Sequence, residues 1–424
     1  MVESNTGMAI FQNLKNFKFL FRTLQSRNYR LFFIGQFISL IGTWIQQIAV
    51  SWLVYRMTNS VFLLGLVGFV SQLPIFVISP FAGVWSDRFN RHKILVWTQA
   101  LSLIQALVLA ILVLSGAITV WQIILLSLFI GCVNAIDMPN RQSFVIYMID
   151  DRNDLGNAIA LNSAMFNGSR LIGPFIAGVL IATVGEGICF LINALSYIAV
   201  IVAILSMNTD HIKVNISKTS VMEELKEGFT YVFGNTRIRA MLILVSLTSI
   251  MGVPFIVLMP AFAKDILQGG PHTLGFLMSA LGAGALLGAF YLASRTNIKG
   301  LQKIINMGAF IFGIGLIGFS FSRSLWISIL MVFIAAFGMM VQVASTNTWL
   351  QTNVDDDKRG RTMSFYVVSF MGMAPFGSLL AGSLAGFIGV PNTILIGGTV
   401  CILGAIFFLK LFPLFTLRKP RNYG

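Results

Sequence analysis

Arg170 sits within a long apolar run at 157–184, where an arginine near a helix centre costs about 2.5–3.5 kcal/mol on membrane-insertion scales. Something must offset that cost. An anionic ligand group is one candidate; an internal partner such as Asp137, or a backbone carbonyl, is the other. Ser163 and Asn167 precede Arg170 at spacings of 4 and 3, with Asn162 beside them. Other apolar runs carry polar residues at helical spacing too. Gln36, Ser39, Thr43 and Gln47 follow one another by 3, 4 and 4, and Asn134, Asp137 and Arg141 by 3 and 4. A later run adds Gln342, Ser345, Thr346 and Asn347. Lipid accepts none of these groups, so several polar helix faces should converge on one water-filled cavity. Asp137 stands four residues before Arg141, the order that favours a structural pair. As an embedded acid it is also a candidate for proton coupling.

A second constellation reads Gly83-x-x-x-Asp87-Arg88-x-x-Arg91. Glycine permits close helix approach. An acid at the edge of an apolar segment needs partners, which two arginines or the unpaired N–H groups of a helix start can supply.

These residues need helices to hold them, and the composition says which kind. The chain has 424 residues, 56% hydrophobic and only 10% charged, with a mean hydropathy of +0.84. Soluble domains carry about 25% charged residues, so a soluble enzyme is excluded. A span needs about 20 mostly apolar residues. Twelve such segments can be read, near 31–55, 61–83, 94–115, 119–140, 157–184, 187–207, 240–262, 274–294, 302–321, 325–348, 362–388 and 392–412. Asn59, Gly116, Gly185, Ser322 and Pro391 punctuate them. Cys132, Cys189 and Cys401 all lie in apolar runs and read as buried hydrophobes. No metal cluster, nucleophile–base pair or Gly-x-x-x-x-Gly-Lys loop is present, so neither an enzyme nor any cofactor is expected.

The basic residues give an orientation. With an even span count, 25 of the 29 Lys and Arg fall on the side of the two chain ends, which the positive-inside rule makes cytoplasmic. The net charge of +14 then faces anionic lipid and not nucleic acid. The expected domains are an amphipathic N-terminal segment (1–30), a six-helix bundle (31–207), a linker with an amphipathic helix (208–239), a second bundle (240–412) and a tail (413–424). The halves repeat. At an offset of 204, Asp151, Gly156, Gly173, Gly178 and Gly185 match Asp355, Gly360, Gly377, Gly382 and Gly389.

The Gly83–Arg91 segment resembles the signature of the major facilitator superfamily, at the loop where that family has it. Phrases such as GVWSDRFNRHKIL, SRLIGPFIAGVLIA and RGRTMSFYVVSF look more narrowly like its enterobactin-exporter and macrolide-efflux branch. The resemblance implies an all-α integral membrane fold of twelve helices in two pseudo-symmetric halves. It also implies an alternating-access transporter in a bacterial inner membrane, acting as a monomer on a small molecule. Export of a polar or anionic, siderophore-like substrate is expected; multidrug efflux and import are the alternatives. By the same resemblance, Gly83, Asp87, Arg88 and Arg91 form a gate that latches onto Gly360, Arg361 and Arg141. The matching turn of the second half, near Ala293 to Asn297, lacks the acid. Substrate contacts are expected from Gln36, Thr43, Gln47, Asn134, Asn162, Asn167, Arg170, Gln342 and Asn347.

Overall fold

The computed structural model describes residues 22–86, 90–207, 229–295 and 300–416. Among the described residues, twelve helices are long and apolar enough to cross a membrane. We number them α1 (Arg27–Thr58), α2 (Val61–Ile78, with its helix running on to Ser86), α3 (Arg91–Leu114), α4 (Val120–Tyr147), α5 (Leu155–Val184) and α6 (Glu186–Leu205). The second half supplies α7 (Thr236–Ile266), α8 (Pro271–Ala293), α9 (Leu301–Phe321), α10 (Leu325–Asn353), α11 (Lys358–Ile388) and α12 (Val390–Leu409). No strand occurs among the described residues.

Local chemistry sets the ends. The Asn90 carboxamide accepts from the backbone N–H groups of His92 and Lys93, at 3.0 and 3.3 Å, and so caps α3; Asn235 caps α7 in the same way. Gly185 and Gly389 turn the chain between α5 and α6 and between α11 and α12, with φ of 82° and 84°, a region that L side chains avoid. Pro391 is therefore not the break. It lies in the first turn of α12, where a missing N–H costs nothing.

Each residue of the sequence repeat has a matching structural role. A Cβ on Gly173 would meet Trp44 and the Ile41 carbonyl of α1, and one on Gly377 would meet Pro254 and the Ile250 carbonyl of α7. Gly156 and Gly360 both have open space around them. Asp151 accepts from Arg22 and Asp355 from Tyr231, each at 3.4 Å. Each aspartate thus ties the segment entering its half to the loop before the fifth helix of that half.

The halves meet through α5 against α8 and α2 against α11. Near the face remote from the chain ends, the far face, these contacts become backbone on backbone. A Cβ on Gly178 would lie 3.0 Å from the Gly275 Cα, and one on Gly382 would lie 2.7 Å from the Gly65 Cα. Small residues permit such approach and take dispersion energy from it. Three π-helical turns interrupt the second half, at Thr248–Gly252 and Phe262–Ile266 in α7 and at Val368–Gly372 in α11.

Candidate functional site

A cavity of about 190 Å³ lies between the halves. From the first half α1 contributes Trp44 and Gln47, α2 contributes Ser71 and Gln72, and α5 contributes Arg170 and Pro174. From the second half come Val253, Ile256 and Val257 of α7, Met278 and Leu281 of α8, and Ala374 and Ser378 of α11. Arg170 is the only charged residue of this lining. Its guanidinium carbon is 5.8 Å from the centre of the Trp44 ring, a cation–π distance. Its Nε is buried without a hydrogen-bond partner, and among the described residues it forms no ion pair.

Asp137 is not the partner of Arg170. It is 3% exposed and packs inside the first half. Thr98 Oγ1 and Gln99 Nε2 donate to its Oδ1 at 2.7 and 2.9 Å, and Arg141 Nε stands 3.6 Å from its Oδ2. A second buried polar seam lies nearby. Gln46 donates to Gln105 at 2.9 Å and accepts from Asn193 at 2.8 Å, joining α1, α3 and α6.

Of the residues expected to contact substrate, Gln47 and Arg170 line the cavity. Thr43 instead donates to the Ser39 carbonyl at 2.9 Å, and Asn167 to the Ser163 carbonyl at 2.9 Å. Gln342 and Thr248 exchange hydrogen bonds at 2.8 and 3.2 Å, joining α10 to α7. Asn347 accepts from Gln351 at 2.5 Å. Gln36, Asn134 and Asn162 lie on α1, α4 and α5, outside the lining. Trp44, Ser71, Gln72 and Ser378 were not singled out from the sequence. Trp44 stands three residues before Gln47 on the polar face of α1, a signal that could have found it.

The expected gate is only partly in view. Gly83 is on the last turns of the α2 helix, whereas Asp87 and Arg88 lie outside the described residues. Arg91 opens α3 with its guanidinium 5.8 Å from the Tyr147 ring centre. Arg141 pairs with Asp137, and Gly360 and Arg361 sit in the second turn of the helix that starts at Asp356 and leads into α11.

The far face carries contacts that the sequence did not signal. The Tyr55 hydroxyl of α1 donates to the Asp265 carboxylate of α7. Lys264 Nζ donates to Asn59 Oδ1 at 2.7 Å and stands 5.4 Å from the Tyr55 ring centre. Both contacts cross between the halves, beside a vestibule of about 530 Å³. The Lys264–Asn59 bond is exposed, whereas Tyr55 is 3% exposed and its bond to Asp265 is half-buried. A hydrogen bond to a charged group is worth about 1.5–3 kcal/mol where it is shielded from water, so the pair adds to a closed state. Removing both, as Tyr55→Phe with Lys264→Ala, is expected to raise maleimide labelling of a Gln47→Cys reporter from the far face by about tenfold. A hundredfold rise would make these side chains, and not the glycine contacts, the main lock.

The sequence model of the transmembrane secretion effector family matches residues 20–419. The staphyloferrin A transporter of Staphylococcus aureus is 28% identical over 386 residues, covering 90% of this chain and 96% of that protein. The enterobactin exporter EntS of Shigella boydii is 25% identical, covering 92% and 93%. The macrolide efflux protein A of Streptococcus pyogenes is 24% identical, covering 88% and 93%. The crystal structure of a POT family transporter in complex with 5-aminolevulinic acid superposes with a TM-score of 0.73 at 15% identity, covering 93% of this chain and 100% of that one. That likeness shows the fold. With twelve spans, two matching halves and a family match over nearly the whole length, the chain belongs to the transmembrane secretion effector family of major facilitator superfamily transporters.

Proposed function

We propose that this transporter exports a small organic anion of the siderophore class across the bacterial cytoplasmic membrane, with both chain ends in the cytoplasm. The observation that carries the reading is Arg170: a guanidinium in the cavity between two repeated halves, with Nε unpartnered. A desolvated cation is costly when alone, and a cargo anion offsets that cost while bound. Relatives named for staphyloferrin A and enterobactin support the substrate class, and the charge bias of the loops supports the orientation. The two bundles, 31–207 and 240–412, would rock about the cavity, with 208–239 as their tether. The apolar wall on the second-half side favours a second reading, efflux of lipophilic compounds, for which the macrolide and multidrug relatives speak.

The test is flux in oriented proteoliposomes that contain no nucleotide. Siderophores should move down an imposed gradient, and a lipophilic macrolide should not. An absolute requirement for ATP would sink the secondary-transport reading, since the sequence has no nucleotide-binding loop. Macrolide flux without siderophore flux would leave the efflux reading in its place. Cargo driven only inward under every imposed ion gradient would reverse the direction.

A further inference from the structure

The cavity is chemically two-faced, and the division follows the two halves. The first half supplies the cation, the Gln47 amide, the Trp44 ring and the Gln72 amide, whose Nε2 also donates to the Gly68 carbonyl at 3.3 Å. Opposite them, α7 and α8 present only apolar side chains, Val253, Val257, Met278 and Leu281 among them. The one hydroxyl that α11 adds, Ser378 Oγ, is already spent on the Ala374 carbonyl at 3.0 Å. A ligand spanning this space meets a hydrogen-bonding, cationic wall at one end and a hydrocarbon wall at the other.

We propose that the group held here is a monoanion with a compact apolar body, an aryl or branched-alkyl carboxylate, in preference to a polyanion. The proposal rests on the anion reading above and narrows it. One cation balances one carboxylate. A second carboxylate on the same ligand would be pressed against Val253 and Leu281 with no partner, and burying an unpaired charge is strongly unfavourable. The guanidinium fork of Arg170, which lines the cavity, can take both oxygens of a carboxylate. Trp44 gives the adjoining apolar body a flat surface. The volume of about 190 Å³ is below the roughly 300–1,000 Å³ of sites for drug-sized ligands. It suits a single acid group and one ring, either as a whole small molecule or as one arm of a larger one.

The experiment is isothermal titration of the purified full-length chain with four probes: 4-phenylbutanoate, its neutral isostere 4-phenylbutanamide, 4-phenylbutylamine and citrate. The acid is expected to bind about tenfold to a hundredfold tighter than the amide, the range of a charge-assisted hydrogen bond. Citrate and the amine should bind weaker still. Arg170→Gln should bring the acid down to the level of the amide, and Arg170→Lys should recover part of the loss, because lysine keeps the charge without the fork. Val253→Thr combined with Val257→Thr keeps the shape of the wall and makes it polar. It should weaken the acid and the amide alike, by roughly three- to tenfold. A melting curve of each variant confirms folding.

The outcomes separate the two readings. Citrate binding as tightly as phenylbutanoate, with the threonine pair changing nothing, overturns the monoanion proposal and leaves the anion reading standing. Acid and amide binding equally, in wild type and in Arg170→Gln, overturns the anion reading itself. Binding of none of the four probes by a folded chain overturns the proposal.

Discussion

Asp137→Ala is expected to lower the stability of the protein by about 3–5 kcal/mol, the cost of breaking a buried charged pair by deleting one partner. The carboxylate is 3% exposed, and three donors point at it. Without it the Thr98 hydroxyl, the Gln99 amide and the Arg141 guanidinium lose the acceptor they share. Asp137→Asn keeps an oxygen for Thr98 and Gln99 and should cost less. Pairing Asp137→Ala with Arg141→Met should restore most of the loss, because replacing a whole buried pair by apolar groups is often close to neutral. Thermal melting of detergent-purified variants measures all three. An Ala variant that melts with the wild type would show that this acid does not hold the bundle together. An Asn variant that folds normally but no longer responds to a proton gradient would make Asp137 a coupling site.

Gly382→Val should nearly abolish transport while leaving the protein folded. In the closed arrangement of the far face its side chain would fall 2.7 Å from the Gly65 Cα and 2.9 Å from the Val61 carbonyl. Those are backbone atoms, so α2 must move away. Overpacking of this kind costs about 1–3 kcal/mol, which shifts a two-state equilibrium by roughly fivefold to a hundredfold. The repeat makes the same forecast for Gly178→Val against Gly275. In both variants maleimide should reach a Gln47→Cys reporter from the far face far more readily than in wild type. Unchanged labelling with unchanged flux would show that closure there does not depend on glycine contact. The side-chain latch at Tyr55 and Lys264 can let go without displacing a helix, so its loss should be the milder lesion.

The spans and the repeat were legible because the bilayer imposes a length and a hydropathy that local composition cannot hide. The helix ends were harder. The run expected at 119–140 continues to Tyr147, and the one expected at 325–348 continues to Asn353, because a helix keeps its backbone bonds after its side chains turn polar. A polar stripe has two uses. Thr43 and Asn167 satisfy themselves on carbonyls one turn back, and Gln342 joins two helices of one half, so periodicity alone could not separate a cavity from a seam. Arg170 stood out because lipid tolerates it least. Val253, Val257 and Leu281 could not stand out, since a residue lining an apolar cavity wall has the same composition as one facing lipid. The contacts of Asn59 and Lys264 join residues 205 positions apart, and no local pattern carries that.

The π-helical turns of α7 and α11 bear on how this protein could change. Val253 and Ala374 each lie within two residues of such a turn, with Pro254 and Pro375 beside them. Arg170, in contrast, sits in α5, and Trp44 and Gln47 in an uninterrupted helix of 32 residues. Backbone hydrogen bonds are already irregular on the apolar side, so that wall can accept a new cargo shape through small adjustments that leave no regular ladder to break. The cationic wall has less such slack, although Pro174 lacks the N–H that would bond the Arg170 carbonyl. In a laboratory selection for new cargoes, variants that broaden the accepted shapes should therefore accumulate in α7 and α11. Variants that change the accepted charge should be few and should pass through position 170. Shape tolerance and charge preference would then evolve on separate halves of one chain, each free to drift without disturbing the other.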